Sequence, residues 1–271
     1  MQVSEAQRWT LEPRFPKAPS TTEWQAMSTL ERLEVCEQLG TAHHEVLDTM
    51  APEGTRHEES TGDAIDRLRQ WMNGGSRAAF VARNLRVYYP AEDAFEPDIM
   101  VVLGVPQEHR DSWIVSAEGG KGLDVVFEFA WKGNRQKDLD ENVRRYARLG
   151  IPEYYVIDLR KSRFYAFHLA TGGGAYQTIT PQDGRVRSPG LDVDLYFDGY
   201  ALRLMNGIVM MANAREGLGH LQVALARVSS ELNIERDRAE TERERAEAEK
   251  ARADALERRL RELLGTTGEG S

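Results

Sequence analysis

A succession of short apolar runs, interrupted once by a helix-like segment, constrains the fold of this chain more than any other feature. AAFVAR, LRVYYP, DIMVVLG and DVVFEFAW are rich in β-branched and aromatic residues and are separated by turn-forming residues, which predicts strands. KDLDENVRRYARLG then has helical spacing and ends at Gly150, and the strand-like runs YYVID and RFYAFHLA follow it. This order predicts a mixed α/β layer rather than a helix bundle or a β-sandwich.

The segments on either side of this layer are predicted to be accessory. Three prolines in PRFPKAP exclude a regular helix near the N-terminus. Residues 21–39 and 60–73 carry apolar side chains at helical spacing, with Thr21 or Thr22 as a cap of the first helix and Gly40 as its end. After the layer, AYQTIT, GRVRS and DVDLYFDGYALRLM predict an antiparallel trailing portion.

Composition excludes several classes of protein. The chain has 271 residues and a single cysteine, Cys36, so a disulfide framework and a cysteine-based zinc site are both excluded. No stretch approaches the roughly 20 apolar residues that span a bilayer, and the first residues lack the basic start and apolar run of a signal peptide. We therefore expect a cytoplasmic protein without a membrane partner.

The charge distribution gives a mixed indication about nucleic acid. With 44 acidic and 35 basic residues, the whole chain lacks the basic surface that is usual for a DNA-binding domain. Residues 132–163, however, hold nine basic and five acidic side chains. This local excess of positive charge is compatible with contact to phosphate and equally with a solvated helix face and turn.

A heptad pattern begins near Leu218. Apolar or small residues and glutamates recur at alternating steps of three and four, which predicts a coiled coil. Opposite charges three and four residues apart would also stabilise a solitary solvated helix, so that alternative stays open. We expect self-association through this segment, with a role in oligomerisation or spacing. The positions of the pattern, here called the seam, are Leu218, Leu221, Leu225, Val228, Leu232, Glu235, Ala239, Glu242, Ala246, Glu249, Ala253, Leu256, Leu260 and Leu263.

Two carboxylates lie at unusual places in the predicted strands. Glu128 interrupts the run VVFEFAW, and Asp98 begins the run DIMVVLG. Because an unpaired buried carboxylate is costly, each needs a partner, either a divalent metal ion or a basic side chain. Side chains alternate along a strand, so Glu128, Ala130 and Lys132 share the face opposite the aromatic residues. This face is a candidate site, although Glu128 could instead cap a loop or pair with a local base.

These residues and the segment after them carry a resemblance to a known family. Pro97-Asp98 at the start of an apolar strand, Glu128 within VVFEFAW, and the continuous stretch DLDENVRRYARLGIPEYYVID resemble the Uma-type restriction endonuclease family of the PD-(D/E)XK nuclease superfamily. The resemblance extends from about residue 57 to about residue 200. Its most specific part requires a helix ending in Tyr-x-x-x-Gly, a Glu-Tyr pair and a strand ending in Asp. The chain supplies Tyr146, Gly150, Glu153, Tyr154 and Asp158.

The resemblance implies a fold, a metal and a reaction. The fold is α/β, a restriction endonuclease-like mixed sheet flanked by helices and followed by a long C-terminal helix or coiled coil. Asp98 and Glu128 would bind Mg²⁺ or Mn²⁺, since hard divalent cations prefer oxygen ligands. The implied activity is endonucleolytic hydrolysis of DNA phosphodiester bonds, with DNA as the partner.

The resemblance leaves the position of the superfamily's lysine open. The short spacing would place it at residue 130, where this chain has Ala130, and the family's helix position aligns with Asn142. Lys132 has the correct strand parity but lies two residues, about 6.6 Å, beyond the usual spacing. We expect Lys132 to act as the substitute catalytic residue, and further candidates are Lys137, Arg144 and Arg145.

The predicted organisation has four parts, and two functions remain open. We expect an N-terminal arm and accessory helix at 1–55, a nuclease-like domain at 56–205, a linker and coiled coil at 206–264, and a disordered tail at 265–271. The first function is a magnesium-dependent endonuclease, impaired by Asn142. The second is a catalytically inactive scaffold that works as a coiled-coil assembly or interaction module.

Overall fold

The computed structural model describes residues 17–47, 54–75, 77–131 and 136–265. The chain divides into two compact units, Met1–Ala214 and Arg215–Ser271. The described helices of the first unit are α1 (Thr21–Ala26), α2 (Thr29–Leu47), α3 (Thr55–Gly74) and α4 (Asn142–Arg148). Helix α5 (Ala214–Gly265) begins at the boundary and forms the described part of the second unit. A π-helical turn, Lys137–Glu141, leads directly into α4. Within the described residues, no helix is long and apolar enough to span a membrane.

A six-stranded mixed sheet forms the centre of the first unit, in the order β1-β3-β5-β6-β7-β8. Among the described strands of this sheet, β5 and β6 are parallel neighbours, and the other four neighbouring pairs are antiparallel. A parallel pair needs a crossover, and the π-helical turn with α4 provides it. This arrangement confirms the predicted α/β fold. The strands are β1 (Ala79–Arg83), β3 (Ile99–Leu103), β5 (Val125–Ala130), β6 (Glu153–Asp158), β7 (Arg163–Leu169) and β8 (Tyr176–Ile179).

Two smaller sheets flank the central one. β2 (Arg86–Tyr88) pairs with β4 (Ser112–Ile114) in parallel. The trailing portion is antiparallel, as predicted, but it divides between two sheets. GRVRS and DVDLYFDGYALRLM lie in a sheet of order β12-β11-β10-β9, whereas AYQTIT forms β8 at the edge of the central sheet. The strands of the β12-β11-β10-β9 sheet are β9 (Arg185–Ser188), β10 (Val193–Phe197), β11 (Leu202–Asn206) and β12 (Val209–Met210).

Both faces of the central sheet are covered, because strand side chains alternate between two hydrophobic cores. Phe127 and Phe129 of β5 pack with α3 and the β9–β12 sheet. Val126 and Ala130 pack on the opposite side with Tyr146 of α4. The predicted separation of the β5 side chains is therefore confirmed, and Glu128 lies on the α4 side of the sheet.

The N-terminal helices differ from the prediction at their ends. Ser20, not Thr21 or Thr22, caps α1, with a reciprocal hydrogen bond to Glu23 that forms a capping box. The helical segment is broken at residues 27–28, and α2 then continues past Gly40. A glycine ends a helix most readily in a left-handed conformation, and Gly40 stays helical. Gly150, in contrast, has a φ of +75° directly after α4 and matches its prediction.

Candidate functional site

Asp98 and Glu128 meet because β3 and β5 are antiparallel neighbours. Ile99 pairs with Phe127 in the ladder. Because the two strands are antiparallel, Asp98, one residue before Ile99, lies opposite Glu128, one residue after Phe127. Glu128 is buried, with 7% of its surface exposed, whereas the side chain of Asp98 retains 13%. The pair therefore lies at the edge of the core, and Asp98 is the member nearer to water.

Reciprocal hydrogen bonds hold the two carboxylates in place. Asp98 Oδ2 accepts a hydrogen bond from the backbone N–H of Phe129 at 2.6 Å, and Glu128 Oε2 accepts one from the N–H of Asp98 at 3.3 Å. Each carboxylate thus binds the backbone of the neighbouring strand. Backbone donors cannot move away as a side chain can, so both acids have a fixed orientation.

A third carboxylate completes the site from the crossover segment. Asp138, Asn142 and Tyr146 recur at steps of four and so share one face of the π-helical turn and α4. Tyr146 donates its hydroxyl hydrogen to Glu128 Oε1 at 2.7 Å. The Asn142 amide donates to Glu128 Oε1 at 3.4 Å and to Asp138 Oδ1 at 3.3 Å. Asn142 therefore bridges two buried carboxylates.

His57 covers Asp98 from the other side. It lies in the first turn of α3, is 3% exposed, and places Nε2 3.1 Å from Asp98 Oδ2. Its ring packs edge-on against Phe129, with 6.3 Å between the ring centroids. The histidines show no metal-ligand spacing in the sequence, which predicts a surface or capping role for His57 and at most a place near the entrance of the site. The structure instead brings it into direct contact with Asp98.

Burial and the concentration of carboxylates shift the pKa of the acids in the site. Burial, followed by the nearby charges of Asp98 and Asp138, raises the pKa of Glu128 well above its ordinary value. Burial also raises the pKa of Asp138 to about 7. Protons are therefore retained in this cluster near neutral pH, and a cation of higher charge would compete for the same oxygens.

The basic residues predicted for the site have different outcomes. Lys132 lies outside the described residues, so its role stays a prediction. Arg144 forms an ion pair with Asp140, and Arg145 donates to the carbonyl of Asp93, so both contact groups outside the carboxylate cluster. Lys137 is exposed beside the buried Asp138, and its charge opposes the rise in the pKa of both Glu128 and Asp138.

The oxygen donors fit a divalent cation only if water supplies part of its coordination. Within the described part of the chain, no group of three or more His, Cys, Asp or Glu side chains has the arrangement of a ready metal site. Mg²⁺, however, commonly binds through one or two carboxylates and keeps several waters. In the same part of the chain, Asp98 Oδ1 accepts no hydrogen bond. Asp98 and Glu128 can therefore offer a two-carboxylate ligand set.

Sequence reasoning missed Asp138 as a member of the site. It stands in a polar stretch, KDLDEN, where a solvated helix face is the simplest interpretation. Burial of 95% of its surface results from packing beside β5 and is not visible in the local pattern. The spacing of four between Asp138, Asn142 and Tyr146 was the available signal, because it places them on the same helix face as the site.

The chain is similar to one known protein family and to a solved structure. No curated protein matches the chain significantly. One matching solved structure is titled "Crystal structure of a putative nuclease belonging to DUF820 from Anabaena variabilis ATCC 29413". It is 15% identical in sequence and has a TM-score of 0.41, and the match covers 53% of this chain and 76% of the solved chain. The family model Uma2, described as "Putative restriction endonuclease", matches residues 30–198. With the match covering more than half of its length, this chain belongs to the Uma2 family.

Proposed function

We propose that this protein is a divalent metal-dependent endonuclease that hydrolyses phosphodiester bonds of DNA. The observation that carries the proposal is the convergence of Asp98 and Glu128, fixed by backbone hydrogen bonds of 2.6 and 3.3 Å on neighbouring strands. Membership of the Uma2 family supports a nucleic acid substrate. Two neighbouring carboxylates at the edge of a core repel each other when both are ionised. Their close approach therefore does not stabilise the fold.

Each residue of the site has a definable part in this reaction. Asp98 and Glu128 would hold Mg²⁺ or Mn²⁺ as oxygen ligands. When bound, such a cation lowers the pKa of a water ligand and stabilises the negative charge that develops on phosphorus. Tyr146 orients Glu128 through its 2.7 Å hydrogen bond, and His57 orients Asp98. These contacts limit the rotation of both ligands before substrate binds.

In the superfamily a lysine supplies a positive charge to the site, and in this chain another residue would have to supply it. Asn142 contacts Glu128 and Asp138, which supports its alignment with the family's lysine position, but an amide carries no charge. We propose that Lys137 or Lys132 compensates in part and that hydrolysis is slow. The charge of Lys137 already acts on both buried acids.

Cleavage of supercoiled plasmid DNA with Mn²⁺ tests the activity. We expect nicked and linear products from the unsubstituted protein, and none from Glu128→Ala. Glu141→Ala, at an exposed position in the same segment as Asp138, is the matched control and should retain cleavage. Lys137→Ala and Lys132→Ala, assayed side by side, identify which lysine contributes. Equal cleavage by the unsubstituted protein and Glu128→Ala would refute the proposal.

An inactive scaffold is the second candidate function, and Asn142 is the observation in its favour. A site without the lysine charge could retain the fold and the carboxylates while losing hydrolysis. The chain would then act through self-association of α5, which we propose in either case. Plasmid that stays intact at every Mn²⁺ concentration, together with a self-associated protein in sedimentation, would favour the scaffold over the enzyme.

A further inference from the structure

Helix α5 exposes a long apolar stripe to solvent. Its 52 residues correspond to about 78 Å of helix. Every residue from 220 to 261 is exposed. Seven large apolar side chains of the seam are between 52% and 69% exposed, namely Leu218, Leu221, Leu225, Val228, Leu232, Leu256 and Leu260. A stripe of this kind is stabilised when a partner helix covers it.

We propose that α5 pairs with α5 of a second copy of this chain in an antiparallel coiled coil. This inference specifies the self-association proposed above and does not depend on nuclease activity. The argument rests on how the seam residues are distributed. Leucine and one valine occupy the N-terminal part of the seam and leucine occupies its C-terminal end. The middle alternates glutamate and alanine at Glu235, Ala239, Glu242, Ala246 and Glu249.

A parallel pairing in register would oppose each seam residue to its own copy. Glu235, Glu242 and Glu249 would each face the same glutamate, which gives three layers of like charge. Ala239 and Ala246 would each face alanine, leaving little side-chain volume between the helices. Like charges at close range and underfilled layers both disfavour this orientation.

In one register, an antiparallel pairing avoids both the glutamate–glutamate layers and the alanine–alanine layers. Glu235 then faces Ala246 and Glu242 faces Ala239, so a long side chain lies over a small one in each of these layers. Because both copies have the same sequence, each of these layers occurs twice. The outer layers of the same register join Leu225 to Leu256, Leu221 to Leu260 and Val228 to Ala253, while Glu249 faces Leu232.

Flanking charges are compatible with this orientation. Basic residues border the middle of the seam on both sides at Arg236, Arg238, Arg243, Arg245 and Lys250, so the seam glutamates have cations nearby. The flanks contain attractive and repulsive pairs in either orientation, whereas the seam differs clearly between the two. The seam of α5 is thus complementary to its own reversed sequence. The helix that we propose to cover the apolar stripe is therefore α5 of a second copy.

Disulfide trapping in the full chain distinguishes the orientations. In a Cys36→Ser background, which lacks the native thiol, Val228→Cys and Ala253→Cys are prepared as separate chains, mixed, and oxidised with glutathione disulfide, which is reduced to two molecules of glutathione. Both substitutions preserve side-chain size approximately. We expect a covalent dimer from the mixture and none from either chain alone. In the antiparallel dimer the two copies of residue 228 are separated by 25 residues of helix, about 38 Å.

The other outcomes would overturn the proposal. Covalent dimers from Val228→Cys alone and from Ala253→Cys alone would establish a parallel pair. A monomeric mass for the unsubstituted chain in sedimentation equilibrium, with no cross-link in any mixture, would establish a solitary helix. Leu225→Asp with Leu256→Asp is expected to reduce the sedimentation mass to that of a monomer, while plasmid cleavage is measured separately.

Discussion

Replacement of Asp138 with asparagine is expected to stabilise the metal-free protein at neutral and alkaline pH. Burial raises the pKa of Asp138 from its ordinary value of 3.8 to about 7, and the charge of Asp98 adds to this effect. Asparagine keeps the shape and an oxygen that can accept from Asn142, but it carries no charge. The substitution therefore removes the cost of ionising a buried acid beside two others.

The magnitude follows from linkage between proton binding and folding. Because the folded state holds its proton more tightly, it binds more protons than the unfolded chain between pH 4 and pH 7. Stability of the unsubstituted protein therefore falls as pH rises through this window, by about 1.4 kcal/mol per pH unit. The full interval between 3.8 and about 7 corresponds to about 4 kcal/mol.

Urea denaturation of the metal-free protein from pH 4.5 to pH 8.5 measures the effect. The free energy of unfolding of Asp138→Asn minus that of the unsubstituted protein should rise up to pH 7 and then stay constant. Asp140→Asn is the matched control, since its side chain is 52% exposed, and it should change stability by no more than about 0.5 kcal/mol at any pH. A difference independent of pH, or a less stable Asp138→Asn protein at pH 8, would refute the reasoning.

Three further substitutions test the site and its surroundings. Asn142→Lys would place an ammonium group between two carboxylates, and we expect Mn²⁺-dependent plasmid cleavage to rise by at least about tenfold; no increase would refute the proposed charge deficit. Tyr146→Phe removes the shortest hydrogen bond to Glu128, and urea denaturation should show a loss of about 1–2 kcal/mol. Gly190→Ala would place a Cβ 2.8 Å from a Glu153 carboxylate oxygen, so thermal denaturation should show a clear loss of stability, and an unchanged melting temperature would contradict the contact.

The central sheet could be predicted because its information is local. The strand-like runs and the crossover segment have distinct periods, and Gly150 ends the helix with a left-handed conformation that its position indicates. The N-terminal helices were less predictable. Gly40 continues α2 because a glycine in a helix is only mildly unfavourable, and nothing in the adjacent sequence requires the helix to end there.

The site was predictable where a charge contradicted its surroundings. Glu128 and Asp98 stand out in apolar runs, and their meeting follows once the two strands are neighbours. Asp138 does not stand out, because its neighbours along the chain are polar and only the packing of the crossover segment buries it. His57 is similar, since its contact with Asp98 joins residues 41 positions apart. Long-range packing of this kind leaves little trace in local spacing.

Calorimetric titration of the metal-free protein with Mn²⁺ at pH 8 tests the central claim most directly. If Asp98 and Glu128 form a cation site, the unsubstituted protein and the exposed control Glu141→Gln should bind Mn²⁺ saturably. Asp98→Asn and Glu128→Gln should lose this binding while remaining folded by circular dichroism. Equal binding by all four proteins, or no binding by the unsubstituted protein, would contradict the claim.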